Sequence, residues 1–198
     1  MVVSDRRRLQ GRTLADLARA AAQAGVDRFQ VREKDLGGAA LLREARDVMA
    51  AAAGSGLRVA VNGRPDVARA AGAQGVHLPE QGLPARDVRE AFPELEVGVS
   101  CHTLEAARRA EEAGAHYVVL GPVFATAGKD RPLGLHALEA AVRAVGVPLL
   151  AIGGITPANA ASVWGTGVAG VAAIGAFLDA PLHEVVPLLQ RPHAPAAP

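Results

Sequence analysis

Residues 96–120 read EVGVSCHTLEAARRAEEAGAHYVVL. Short apolar runs at Glu96–Ser100 and His116–Leu120 flank an alanine-rich run of helical period from Thr103 to Ala113. A strand–helix–strand unit with such short links predicts two parallel strands. The same rhythm extends in both directions. Upstream, strands are expected at Met1–Ser4, Phe29–Arg32, Arg58–Val61 and Gly75–Leu78. Helices are expected between them at Thr13–Ala24, Ala39–Ala53, Pro65–Ala71 and Ala85–Phe92. Thr13 suits an N-cap, Pro65 a first helical turn, and Gly25 and Gly54 suit helix ends. Downstream, strands are expected at Pro148–Ile152 and Gly170–Ile174, and helices at Leu135–Ala144, Pro157–Trp164 and Leu182–Leu189. Eight such units predict an α/β fold, a single (β/α)8 TIM barrel over residues 1–190. The doubly wound open sheet is the runner-up, because it produces the same alternation. Residues 191–198 read as a disordered Pro/Ala tail.

Composition narrows the function classes. Aromatic residues make up 3% of the chain, too few for a nucleic-acid stacking platform. The formal net charge is +1, so neither nucleic acid nor a membrane surface is an expected partner. One cysteine, Cys101, excludes an intramolecular disulfide and predicts a cytoplasmic protein. Homodimerisation is left open.

In a barrel of this kind, function gathers at the strand ends that lead into helices. The second strand runs into Gln30-Val31-Arg32-Glu33-Lys34, where period two puts Gln30, Arg32 and Lys34 on one side. An amide, a guanidinium and an ammonium together make an anion site. Asn62 after the third strand and Ser100 at the end of the fifth can add an amide and a hydroxyl. The loop Gly121–Asp130 sets Thr126 and Lys129 among small residues, which suits a lid over an anion. Gly153-Gly154 and Gly175-Ala176 follow the seventh and eighth strands, where small residues let backbone N–H groups approach a phosphate. Cys101 has no evident activating base and reads as packing.

Four stretches carry a resemblance. They are QVREKDL (30–36), GVHLP (75–79), GVSCHTLEAARRAEEAGAHYVVLGPVF (98–124) and AIGGITPAN (151–159). In this order and spacing the chain resembles the thiamine phosphate synthase/TenI family. The resemblance implies a barrel that recognises a thiazole phosphate. For a synthase it implies joining a pyrimidine methyl diphosphate to that thiazole phosphate, with Mg²⁺ on the diphosphate. Gln30, Arg32, Lys34, Asn62, Ser100 and Lys129 would then match the diphosphate and pyrimidine contacts. Thr126 and the Gly153-Gly154 and Gly175 loops would match the thiazole phosphate contacts.

Two departures bear on the reaction. Gly63 and Gly82 stand where the resemblance to synthases calls for metal-binding aspartates. Glu80 is a carboxylate that could substitute for them. Asn62-Gly63-Arg64 with Leu78-Pro79 is closer to the TenI branch, which implies a thiazole tautomerase needing no metal or other cofactor. That branch has a histidine where this chain has Pro122, so another acid/base must move the proton. His102, His77 and Glu33 are the candidates, in that order. The tautomerase therefore ranks first and the synthase with Mg²⁺ second. A third reading is a non-catalytic thiazole phosphate binder or regulator.

Overall fold

Helix starts follow local chemistry. Thr13 caps α1 (Leu14–Gln23) through a reciprocal capping box with Asp16, a device worth about 1 kcal/mol. Thr103 does the same work for α5 (Leu104–Glu112) by accepting from Ala106 N–H. Pro65 opens α3 (Pro65–Ala71), and Gly72 ends it in the left-handed conformation. The remaining helices are α2 (Gly38–Ala52), α4 (Ala85–Ala91), α6 (Gly134–Ala144), α7 (Ala160–Gly165), α8 (Gly175–Leu178) and α9 (Leu182–Leu189). The computed structural model describes residues 1–126 and 131–191. Lys129 and, apart from Arg191, the expected Pro/Ala tail lie outside the described residues.

The strands are β1 (Val2–Val3), β2 (Arg28–Val31), β3 (Arg58–Asn62), β4 (Gly75–Leu78), β5 (Glu96–Cys101), β6 (Tyr117–Leu120), β7 (Leu149–Ile152) and β8 (Gly170–Ala172). They pair in parallel in sequence order. A parallel bridge between Val2 and Ala173 joins the two ends, with Val3 N–H donating to Ala173 O at 3.0 Å. The sheet thus closes as a TIM barrel, and sequential order removes the doubly wound alternative.

Period two divides each strand between two environments. One set of side chains, including Phe29, Val31, Val59, Val61, Val76 and Leu78, packs outward against the helices. The other set fills the barrel. Val3, Tyr117, Val119, Leu150 and Ala172 form an apolar cluster there. Opposite them, β2 to β5 contribute Gln30, Asn62, His77 and Ser100, joined by hydrogen bonds described below. The barrel interior is therefore apolar on one side and polar on the other. Beyond the strands' amino ends, Glu96 accepts two hydrogen bonds from Arg28, at 2.7 and 2.8 Å, and two from Arg58, at 3.3 and 3.1 Å.

Three local expectations need correction. The helix expected from Pro157 begins at Ala160, because Thr156–Asn159 form a turn in which Thr156 N–H donates to Asn159 Oδ1 at 2.8 Å. β8 stops at Ala172 rather than Ile174, since Ile174 already has helical φ and caps α8. α8 and a 3-10 turn at Arg6–Arg8 were not foreseen; both are too short for periodicity to reveal.

Candidate functional site

The strand ends bring together most of the side chains singled out above, but several face each other first. Gln30 is buried and donates through Nε2 to Asn62 Oδ1 at 3.0 Å. This bond fixes both amides and leaves each with further hydrogen-bonding capacity. The expectation that Gln30, Arg32 and Lys34 share one strand face holds only as far as the strand. β2 ends at Val31, Lys34 sits in an exposed turn, and Glu33 is buried instead. Arg32 and Lys34 nevertheless line one cavity of about 340 Å³ with Asp5, Arg7, Glu33 and Asp35.

Glu33 holds the loops around that cavity. Ser4 Oγ donates to its Oε1 at 2.5 Å, and Arg6 N–H donates to its Oε2 at 3.0 Å. Ser4 Oγ also accepts from Arg32 N–H at 2.9 Å. Burial raises the Glu33 carboxyl above its usual pKa, and these hydrogen bonds oppose the rise. Both oxygens are thus engaged by the protein, which ties the β1 loop to the end of β2. Ser4 was missed from sequence because nothing but its place at a strand end marks it.

His77 lies inside the barrel, 1% exposed. Burial, with the Arg32 charge adding to it, pushes its pKa down to about 3, so the ring is neutral. Its Nε2 is 2.8 Å from Ser100 Oγ, and its Nδ1 is 3.3 Å from the Tyr117 hydroxyl. His102 is exposed on the β5–α5 loop, with Nδ1 2.5 Å from Glu80 Oε2. Cys101 is buried and its thiol is pushed up to about 12, chiefly by burial, which suits packing and not nucleophilic attack.

The glycine loops serve packing as well as any ligand. Gly153 has φ +101, and a Cβ there would lie 2.5 Å from Pro122 Cα. Gly154 has φ +65, and a Cβ would meet Phe124 Cβ at 2.7 Å. Val123 N–H donates to Ile152 O at 2.9 Å and Phe124 N–H to Gly153 O at 3.0 Å, so the root of the β6 loop is pinned to β7. Thr126 is the last described residue before the gap that contains Lys129. Gly175 and Ala176 open α8 and are partly exposed. Arg6–Arg8 are not among the residues that the sequence singles out for the site. Arg8 in fact reaches the β8 end, where its Nη2 donates to both Asp179 oxygens at 2.6 Å. Its guanidinium nitrogens are 3.5 Å from where a Cβ on Gly175 would sit.

A second cavity, about 430 Å³, opens at the opposite end beneath Tyr117. Its Arg28 is committed to Glu96 and its Trp164 Nε1 to Leu189 O. The convergent polar groups are at the other end, and that end is the candidate site.

Among the described residues the donor set does not fit a protein-held Mg²⁺, which requires near-octahedral oxygen ligation. Gly63 and Gly82 offer no side-chain oxygen. Among the described residues Glu33 is committed to Ser4 and Arg6, Glu80 to His102, Asp35 to Arg6 and Arg7, and Asp66 to Arg64, while Asp5 accepts from Arg7 N–H at 3.3 Å. Among the described residues no group of three or more His, Cys, Asp or Glu is arranged to hold a metal. Among them too, no helix is long and apolar enough to cross a membrane.

A closed parallel barrel with cationic and amide side chains at the carboxyl ends of its strands, and glycine loops beside them, belongs to the TIM-barrel class. Comparison with known proteins narrows this. Residues 1–177 match the family model TMP-TENI, described as thiamine monophosphate synthase. A thiamine-phosphate synthase of Methanoculleus marisnigri is 46% identical over 181 residues, covering 89% of this chain and 86% of that protein. Another, of Roseiflexus castenholzii, is 41% identical over 187 residues, covering 92% and 82%. The solved structure of thiamine phosphate pyrophosphorylase from Pyrococcus furiosus superposes with a TM-score of 0.87 at 33% identity, covering 95% of this chain and 91% of that one. The chain belongs to the thiamine monophosphate synthase/TenI family.

Proposed function

We propose that this protein is a transferase of thiamine biosynthesis that joins a pyrimidine methyl diphosphate to a thiazole phosphate and releases pyrophosphate. The observation that carries this reading is similarity over nearly the whole chain to proteins named thiamine-phosphate synthase, at 41–46% identity. It reverses the order that the sequence alone suggested, in which the tautomerase came first. In the reaction, the bond from the pyrimidine methylene to a diphosphate oxygen breaks and the thiazole ring takes the carbon. The departing pyrophosphate gathers charge, and Arg32 and Lys34 line the cavity where fixed cations can stabilise it. The loops at Gly153-Gly154 and Gly175-Ala176 would hold the thiazole phosphate, with Arg8 beside Gly175.

One observation favours a second reading, the thiazole tautomerase. Gly63 and Gly82 remove both carboxylates that the synthase resemblance requires, and a tautomerase needs neither. The deciding experiment supplies the purified protein with both synthase substrates, and separately with a thiazole phosphate carboxylate, each with and without Mg²⁺. Formation of thiamine phosphate is the expected result. Tautomer conversion without thiamine phosphate would overturn the transferase reading. Binding of thiazole phosphate with turnover of neither would leave a binder.

A further inference from the structure

We infer that Tyr117 and His77 are positioning residues that act through Ser100, holding its hydroxyl proton toward the barrel mouth as a donor to a substrate phosphate oxygen. The inference rests on the reading that this mouth binds phosphorylated substrate. It starts from a chain of three side chains: the Tyr117 hydroxyl, 3.3 Å from His77 Nδ1, and His77 Nε2, 2.8 Å from Ser100 Oγ. Tyr117 and His77 are each 1% exposed, whereas Ser100 is partly exposed.

The arrangement is built into the strands. His77 and Gly98 are register partners on β4 and β5, and Gly98 and Tyr117 are partners on β5 and β6. A Cβ on Gly98 would lie 2.1 Å from Tyr117 Cζ and 2.4 Å from its hydroxyl. The missing side chain at Gly98 is therefore the notch through which the Tyr117 ring reaches His77. Arg28 sits over the other part of the ring, 4.8 Å from its centroid, held there by Glu96.

Proton counting sets the direction. Burial keeps the Tyr117 phenol protonated, with its pKa above the usual value. Among the described residues its hydroxyl has one hydrogen-bonding partner, His77 Nδ1. The phenol proton must go there, so Nδ1 is the bare nitrogen of a neutral ring. The single imidazole proton then sits on Nε2 and is donated to Ser100 Oγ. A hydroxyl that accepts on that side turns its own proton elsewhere, and Ser100 at the strand end turns it toward the mouth. The opposite tautomer would strand the buried phenol proton without an acceptor among the described residues.

Two measurements test this. Nitrogen NMR of the imidazole should show His77 with its proton on Nε2, and Tyr117→Phe should turn this into a mixture of tautomers. Calorimetry with inorganic pyrophosphate should show Ser100→Ala weakening binding about tenfold and Tyr117→Phe about three- to fivefold. Tyr117→Phe should add nothing in the Ser100→Ala background, because it acts only through that hydroxyl. His77→Gln, whose amide nitrogen can take the place of Nε2, should bind within about twofold of wild type, and His77→Leu should fall to the level of Ser100→Ala. A proton on Nδ1, or losses that add in the double variant, would overturn the inference. So would pyrophosphate binding by Ser100→Ala equal to wild type. The family-level reading is judged apart, by thiazole phosphate titration of the wild type, and can survive any of these failures.

Discussion

Installing one carboxylate at Gly63 tests how this site handles diphosphate. Gly63 has φ +67, and a Cβ there meets nothing nearer than Pro79 Cδ at 3.6 Å. Aspartate enters the left-handed region more readily than most residues, at about 1–2 kcal/mol. For a chain of this size that lowers Tm by about 2–8 °C, so Gly63→Asp should fold. Gly82→Asp is a poorer probe. Its Cβ would sit 2.9 Å from Pro79 O, inside the turn closed by Gly82 N–H and that oxygen. The turn must then shift, at an overpacking cost of about 1–3 kcal/mol. With Gly63→Asp alone, the sign of the effect depends on Mg²⁺. Two unit charges about 6 Å apart interact by about 3 kcal/mol at an effective dielectric of 20, and solvent at an exposed strand end reduces this to about 1 kcal/mol. In EDTA the new carboxylate should therefore weaken pyrophosphate binding about fivefold. In excess Mg²⁺ it should strengthen binding by a similar factor, because the ion bridges the two anions. Titration calorimetry under both conditions reads the crossover, and thiamine phosphate formation should gain Mg²⁺ dependence in parallel. No change in either condition would refute the placement of Gly63 beside the anion. Steep Mg²⁺ dependence in the wild type would refute the claim that the donor set does not fit the metal, and would point to Glu80.

Glu96→Gln should destabilise the barrel by about 1–3 kcal/mol at pH 7, since it strands a half-buried Arg28 and a more exposed Arg58. Burial raises the Glu96 carboxyl, but hydrogen bonds and charge from Arg28 and Arg58 outweigh it and hold the pKa below normal. The wild-type advantage is then complete above the unfolded value of about 4.3 and is lost as pH falls through the lower folded value. Urea denaturation of both proteins from pH 7 to pH 3 should show the gap closing; a gap independent of pH would contradict the assignment. Gly98→Ala should cost about 3 kcal/mol or more by driving a methyl into the Tyr117 ring, and Tyr117→Ala should recover much of it. Strictly additive losses in urea would show that the notch is not the cause. Cys101 should resist iodoacetamide in the native state and react on unfolding; rapid native alkylation would contradict its burial.

What was legible in the sequence was whatever depends on near neighbours in the chain. Thr13, Pro65 and the outward-facing valines of β3 and β4 announce themselves through local spacing, and eight repetitions of one unit imply closure. The inner face was harder, because which side chains meet there depends on strand stagger that no local pattern encodes. Gln30 and Asn62 were read as two ligands for an outside molecule; 32 positions apart, they first bind one another. Glu33, taken as a candidate base, is a buried clamp because Ser4 arrives from a different strand. Gly153 and Gly154 show the reverse difficulty. Their smallness was rightly noticed, but Pro122 and Phe124 demand it as strictly as a phosphate would.

One barrel can carry a site at its mouth without a pore through its centre. The apolar half, built from Val3, Val119, Leu150 and Ala172, is packed by side chains that need no partner. The polar half survives burial only because each group finds a complement: Gln30 in Asn62, His77 in Ser100 and Tyr117. Among the described residues no buried side-chain nitrogen or oxygen is left unpaired. A network satisfied internally has no slack at its base, so its remaining capacity is expressed where the strands stop. On the inference drawn above, the donor that Ser100 offers at the mouth is set from below, by His77 and Tyr117.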